Sequence, residues 1–308
     1  MKNELFENGY CMILSKYRLY QGVALYRSLS DTLLNFRMFI LCMDDETYDI
    51  LRLLDLENVT LVKSNKLENK LLLMKKAERK LNEYCWTLKP MFIEYVMTNS
   101  DLGRVTYIDA DIYFFSDCSR IFNDGLKYSV LLSKHDFPKK LSHIAERCGR
   151  YNSGFISFKR DKEGFKCLEW WKGKCIHWCG DKAEKGKFGD QKYLDNMPFL
   201  SKRVCEIRTS GVNIAPWNHE KYVFSLNNGE IYINNNRLIF YHYCGFRIIN
   251  KTRFALTLDL DKKLIPVIYV PYTSAIQKAI DDIERINPDF DGCYIEPERV
   301  QIAYPLAL

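Results

Sequence analysis

The chain has 308 residues, of which 47% are hydrophobic, 27% charged and 14% aromatic, and its net charge is +6. That length can bury a large core, in one big α/β domain or two modest ones. The lysines and arginines read as scattered, without the basic stripe or known module of a nucleic-acid-binding protein, and the charge fits a small anionic substrate or loose attraction to an acidic membrane surface just as well, without choosing between them.

The first ten residues, Met1 to Tyr10, hold no apolar run of signal-peptide length, and no window reaches the ~18 apolar residues of a bilayer span. The expectation is a soluble cytoplasmic chain, with room for peripheral association at the inner face of the membrane. Eleven cysteines at irregular spacing point to reduced thiols without a disulfide framework. Cys167, Cys175, His177 and Cys179 lie close together but lack the twice-paired spacing of a zinc site, and helix packing explains them.

In chain order, Tyr10 to Leu14 reads as a strand and Leu19 to Leu29 as a helix. Phe36 to Met43 is a second strand, Tyr48 to Leu56 a helix and Val59 to Val62 a third strand. This alternation is the pattern of parallel βαβ units, which bind ligands at the carboxyl ends of their strands. Leu67 to Leu81 is Leu- and Lys-rich and amphipathic. Trp86 to Val96 reads as a helix with Pro90 near its start, which puts Lys89 just before a helix N-terminus. There it either faces phosphate oxygens or is simply solvated.

The fourth strand, Val105 to Ile108, runs straight into Asp109 and Asp111 and then back into apolar residues. Carboxylates there must be solvated, paired or bound to a cation, because burying an unpaired charge costs several kcal/mol or more. They either cap the next turn or offer hard oxygen ligands to Mg2+ or Mn2+. Their place at the end of a fourth parallel strand favours the metal reading.

Farther along, Tyr128 to Leu132 is a strand, and Lys134 to Arg150 is polar and reads as mobile. Tyr151 to Gly154 is a small polar turn leading into a strand, where Asn152, Ser153 and Gly154 either let a ligand approach the backbone closely or simply make a loop-to-strand turn, and Lys162 to Trp178 is helical. Gly180 to Gly189 is a charged connection, and Asp190 looks like a helix N-cap. Gly211 to His219 is rich in turn formers and carries Trp217. Ile231 to Tyr243 reads as a hairpin turning at Asn234 to Asn236, with His242 at its end as either a hydrogen-bonded core residue or a ligand. A C-terminal helix spans Thr273 to Ile286 and stops at Asn287-Pro288.

Asp109-Ala-Asp111, Tyr151-Asn-Ser-Gly154, Asp190-Gln191, Asn213 to Asn218 and His242-Tyr-Cys-Gly245 follow one another in a meaningful order. Over roughly residues 10 to 250, the chain resembles the metal-dependent nucleotide-sugar glycosyltransferases of the GT-A fold, in particular the retaining, galactosyltransferase- and glycogenin-like group. The resemblance implies a Rossmann-like α/β fold, with a central, mostly parallel sheet flanked by helices. It divides the chain into a catalytic domain over 1–250 and a C-terminal helical extension over 251–308.

The resemblance also implies roles. Asp109, Asp111 and His242 would hold the metal, with Asp109 nearer the donor's ribose. Asn152, with Ser153 beside it, and Asp190 would hold the donor sugar, and Gln191 would sit beside its anomeric carbon. Ser15 and Tyr17 match the region that holds the nucleobase, and Lys89 matches a basic residue that faces the donor. Two departures stand out. The first strand ends Leu14-Ser15-Lys16 where the family commonly has an acidic residue, and Phe246-Arg247 stands where a Lys-Pro pair is usual. Arg247 or Arg253 would then meet the diphosphate.

The expected cofactor is Mn2+, or Mg2+; an imidazole ligand favours manganese. The expected donor is a UDP-sugar and the acceptor a glycan or lipid-linked sugar, as in surface polysaccharide biosynthesis. A sugar-phosphate nucleotidyltransferase is a second reading, weakened because Ser15 to Arg18 is not Gly-rich. A catalytically silent nucleotide- or glycan-binding protein is a third.

Overall fold

The computed structural model describes residues 8–256, 262–294 and 302–305. The first half forms β1 (Asn8–Leu14), α1 (Leu19–Thr32), β2 (Arg37–Cys42), α2 (Asp45–Leu54), β3 (Val59–Lys63), α3 (Lys70–Glu78), α4 (Leu81–Thr98), β4 (Arg104–Ile108) and β5 (Ile112–Phe114). Then come α5 (Ser119–Asp124), β6 (Val130–Lys134), α6 (Ser142–Cys148), β7 (Tyr151–Lys159), α7 (Lys162–His177), α8 (Met197–Leu200) and β8 (Val204–Glu206). The last part holds β9 (Phe224–Asn227), β10 (Glu230–Ile233), β11 (Asn236–Arg237), β12 (Phe240–His242), β13 (Arg247–Asn250), β14 (Arg253–Leu256), α9 (Val270–Ile286) and β15 (Ile302–Pro305). Of the expected C-terminal extension, 257–261, 295–301 and 306–308 lie outside the described residues.

A seven-stranded sheet runs in the order β3-β2-β1-β4-β7-β6-β8. β3, β2, β1 and β4 are parallel, β7 is antiparallel to β4 and β6, and β8 is parallel to β6. This is the expected α/β architecture. Strand periodicity of two explains why its strands read as continuous apolar runs. In β1, Tyr10, Met12 and Leu14 enter the core on one face, and Cys11 and Ile13 enter the core on the other. Side-chain caps set helix starts: Asp44 accepts from the Thr47 N–H at 2.8 Å and Asp161 from the Gly164 N–H at 2.8 Å, each worth about 1 kcal/mol.

Four sequence expectations need correcting. Pro90 lies inside α4, which starts at Leu81, so Lys89 is mid-helix and buried. The helix starts earlier because the Glu83 carboxylate accepts from the Lys80 N–H at 2.9 Å, a cap that offsets the backbone bond proline cannot make. Lys134 to Arg150, read as mobile, includes α6 and is tied down where the Arg150 N–H donates to Asp195 at 2.8 Å. Asn152 to Gly154 belong to β7, at a register irregularity opposite Leu132 and Ser133. Such bulges re-aim side chains. Finally, the hairpin from Ile231 is only β10 with β11, and Phe240 to His242 leave it to pair with β5.

α9 covers that β5–β12 ribbon. Tyr272 is fully buried, stacks on Tyr243 at 3.6 Å between centroids and meets Tyr113 of β5 edge-on at 5.7 Å. Its hydroxyl accepts from Gln21 Nε2 at 3.0 Å. Tyr272→Ala is expected to lower stability by about 3–5 kcal/mol through the cavity it leaves. Tyr272→Phe should cost about 1 kcal/mol, the single hydrogen bond. Urea unfolding checks both, and an alanine effect below the phenylalanine effect would mean that α9 unfolds apart from the sheet.

Candidate active site

Strand pairing assembles the site from distant parts of the sequence. The Asp109 N–H donates to the Gly154 carbonyl at 2.7 Å and the Ile112 N–H to the Asp109 carbonyl at 3.1 Å, which fixes the Asp109-Ala-Asp111 turn at the end of β4. The β5–β12 register sets His242 opposite Ile112, and the Tyr243 N–H donates to the Asp111 carbonyl at 2.7 Å. One ligand atom each from Asp109, Asp111 and His242 consequently lies within 4.8 Å of the other two. Among the described residues this is the single such group of His, Cys, Asp and Glu. The Cys167, Cys175, His177 and Cys179 cluster forms none, and its thiols are free, in line with helix packing.

The hydrogen bonds around His242 choose its tautomer. Asn213 Nδ2 donates to the Lys134 carbonyl at 2.7 Å, which turns Asn213 Oδ1 toward His242 Nδ1 at 3.2 Å. Nδ1 is therefore the donor, and Nε2 faces Asp111 Oδ1 at 3.1 Å. A bare nitrogen lone pair against a carboxylate is repulsive unless a proton or a metal cation lies between them. A partner that fixes the far nitrogen of a histidine is what ligating imidazoles usually have. Burial pushes the Asp111 carboxyl up, but the contact with His242 and the nearby Arg18 and Arg247 outweigh it and hold the group below the usual carboxylate range.

Lys89 reaches the same turn from the buried face of α4. Its Nζ lies 2.9 Å from Asp109 Oδ1, 3.5 Å from Asp190 Oδ2 and 3.1 Å from Ser153 Oγ, over the Tyr107 ring. Burial alone would lower its pKa; Asp109 and Asp190 more than offset this and raise it, so the ammonium stays charged. Asp190 does not cap a helix. It is 2% exposed, and its Oδ2 has no hydrogen-bond partner among the described residues. Burial raises its pKa, with Lys89 pulling it down and Asp109 adding to the rise.

Asn152 spans the other side. Its Oδ1 accepts from the Gly154 N–H at 3.0 Å, and its Nδ2 reaches His135 Nε2 at 3.3 Å and Gln191 Oε1 at 3.4 Å. Gln191 Nε2 donates to the Cys148 carbonyl at 3.0 Å. His135 donates from Nδ1 to the Gly149 carbonyl at 3.0 Å, and burial lowers its pKa to about 3, which keeps Nε2 a neutral acceptor. Trp217 packs edge-on against His242 at 5.1 Å and donates from Nε1 to the His135 carbonyl at 2.7 Å.

Gly154 is where these groups converge. A Cβ there would stand 2.6 Å from His242 Cε1, 2.7 Å from Asn152 Oδ1 and 2.9 Å from Asp109 Oδ2. The sequence left this glycine between a close approach of a ligand and a plain loop-to-strand turn; the steric reason needs the structure.

Lys89, Asp109, Asp111, Asn152, Ser153, Asp190, Gln191 and His242 thus share one contact network. Ser15 and Tyr17 follow the carboxyl end of β1, next to β4 in the sheet, with Ser15 buried and Tyr17 exposed. Arg247 opens β13, and its pKa falls to about 10 through burial and the nearby Arg18. Sequence reading missed Arg18, His135 and the part Asn213 plays. Asn213 stood inside a noted segment, and its backbone is left-handed at φ +56°, a conformation Asn tolerates. His135 and Arg18 carried no spacing signal at all.

No family model matches the chain. It is 43% identical over 293 residues to YfnF of Bacillus subtilis (strain 168), covering 92% of this chain and 97% of that uncharacterized protein. It is 33% identical to YfnD of the same organism, covering 94% of each. Among solved structures, the galactosyltransferase LgtC, in complex with donor and acceptor sugar analogs, superposes with a TM-score of 0.54 at 14% identity, covering 77% of this chain and 87% of that one. Mouse xyloside xylosyltransferase 1 superposes with a TM-score of 0.51 at 13% identity, covering 77% and 98%. The chain belongs to the family of YfnF and YfnD, and its fold is the GT-A fold of glycosyltransferases.

Proposed function

We propose that the protein is a metal-dependent glycosyltransferase that moves a sugar from a UDP-sugar to a glycan or lipid-linked acceptor with retention. The observation that carries this reading is the meeting of Asp109, Asp111 and a tautomer-fixed His242 within 4.8 Å. Two carboxylates and a neutral imidazole suit Mn2+, and less well Mg2+, which prefers oxygen. The fit rests also on Nε2 facing Asp111 and on the backbone cradle at Gly154, which leaves the three ligands room. Bound there, the cation supplies Lewis-acid neutralisation of the charge that grows on a departing diphosphate.

The remaining roles fall to the chain's own groups. Arg18 and Arg247 add positive charge beside Asp111 and would meet the diphosphate. Lys89 holds Asp109 and Asp190 in place by charge-assisted contacts. Asp190 Oδ2, buried and 3.5 Å from Lys89 Nζ without a hydrogen bond, would accept from a sugar hydroxyl, as is proposed for Asn152 with Ser153 beside it. Gln191 would present its amide oxygen near the anomeric carbon, where positive charge develops. Ser15 and Tyr17 would flank the base. LgtC has been solved with donor and acceptor sugar analogs, which supports a donor site of this kind on the shared fold.

Calorimetric titration of UDP is expected to show tight binding with Mn2+ and weak binding without it, and Asp111→Asn should abolish the difference. Metal-independent UDP binding, unchanged in Asp111→Asn, would sink the proposed site. Asn213→Ala should weaken Mn2+ affinity about 10–100-fold by freeing the His242 tautomer. Gly154→Ala should weaken it at least as much by displacing His242 or Asp109, with thermal melting confirming that both variants fold. Slow Mn2+-dependent hydrolysis of one UDP-sugar in a panel, lost in Asp109→Ala, would identify the sugar and exclude a silent binding protein.

A further inference from the structure

Helix α3 carries its apolar residues on the wrong side for a core helix. Of Lys70 to Glu78 only Leu72 is buried, while Leu71, Leu73 and Met74 are 46%, 49% and 52% exposed. At 100° per residue, Leu73, Ala77, Lys70, Met74, Glu78 and Leu71 sweep across the side opposite Leu72, with the Glu78 carboxylate held by Lys75 at 2.7 Å. Leu81, 42% exposed, extends the surface into the start of α4. A groove of about 410 Å³ opens beside it, lined in part by Leu71, Met91, Tyr95 and Ile176. Three large apolar side chains exposed on one face of an ordered helix, with charged residues among them, mark a contact site.

Charge names the partner. Residues 63–80 hold six lysines and one arginine against two glutamates, an excess of +5 in a chain whose net charge is +6. In the fold Lys63, Lys75, Lys76 and Lys80 pair with Asp45, Glu78, Glu68 and Asp181, and Arg79 donates to the Cys175 and Ile176 carbonyls, so the positive charge this face offers a partner is chiefly that of Lys66 and Lys70. Lysines flanking an outward apolar stripe are the arrangement of a helix lying in a lipid interface, with the side-chain stems in the headgroups. A second copy of the chain would bring the same positive face against its own, which like charge disfavours.

We infer that α3 docks the protein onto an anionic phospholipid surface, with Leu71, Leu73 and Met74 entering the headgroup boundary and Lys66 and Lys70 binding lipid phosphates. α3 lies between the carboxyl end of β3 and the start of α4, so it stands on the edge of the sheet that carries Asp109. Docking therefore sets the site close to the bilayer, where a lipid-linked acceptor is found. The docking itself needs neither metal nor nucleotide and does not rest on the glycosyltransferase reading.

The test is co-sedimentation of the full chain with vesicles of phosphatidylcholine alone and of phosphatidylcholine mixed with phosphatidylglycerol. Binding is expected to the mixed vesicles only and to weaken with salt. Lys66→Gln and Lys70→Gln should each reduce it about fivefold. Leu71→Ser with Met74→Ser should reduce it ~10-fold or more, and all these side chains are exposed, so thermal melting should be unchanged. Absent binding, equal binding to both vesicles, or variants that bind like the parent chain would overturn the inference. So would self-association in sedimentation velocity that disappears in the Leu71→Ser, Met74→Ser variant while vesicles are ignored, which would assign the face to a second copy. UDP titration in the absence of lipid reads the donor site separately, so failure of one proposal leaves the other standing.

Discussion

The antiparallel pairing of β5 with β12 is the interaction on which the candidate site depends. Three residue pairs, from Phe240 with Phe114 to His242 with Ile112, bring an imidazole from late in the chain against carboxylates from its middle. Because the side-chain period of a strand is two, a slip of one residue would turn His242 away from Asp111 and put Tyr241 or Tyr243 in its place. The register is held from behind. Tyr243 stacks on Tyr272 of α9, and Phe240 packs against Phe114 at 5.3 Å and Phe155 at 5.0 Å.

A second constraint is charge balance in a largely buried site. Asp190 and Lys89 are each 2% exposed, and Asp109 is only a quarter exposed at its side chain. Lys89 alone lies between two carboxylates, so the group is left with more negative than positive charge before Arg18 and Arg247 are counted. Buried carboxylates without full compensation are costly. The Lys89 ammonium, 3.5 Å from Asp190 Oδ2, offsets part of that cost, although Oδ2 makes no hydrogen bond among the described residues.

Much of the sheet was legible in the sequence, because β1 to β4 are apolar runs cut by polar turns and their alternation with helices has one economical solution. Asp109 and Asp111 were legible for the same reason: they interrupt such a run. The failures share a cause. Pro90 suggests a helix start only if the Glu83 cap upstream goes unread. Leu238 to Tyr243 look like the return strand of a hairpin unless the competing edge at β5 is known. Asn213 and Gly154 owe their importance to residues far away in sequence, His242 in both cases, and a linear reading cannot see that pair. The polar stretch from Lys134 to Arg150 gains its order from Asp195 and Glu220, which composition does not reveal.

The late position of His242 and α9 has a consequence for how the molecule comes into being. Chains are made from the amino end, and domains begin to fold as they emerge. β1 to β4 can collapse while synthesis continues, and they present Asp109, Asp111 and Lys89 first. The imidazole, the β12 edge and the helix that backs it arrive in the last quarter of the chain. Until then the nascent protein has its acidic turn without the strand that shelters it, and competence at the site comes only once the chain through α9 has left the ribosome.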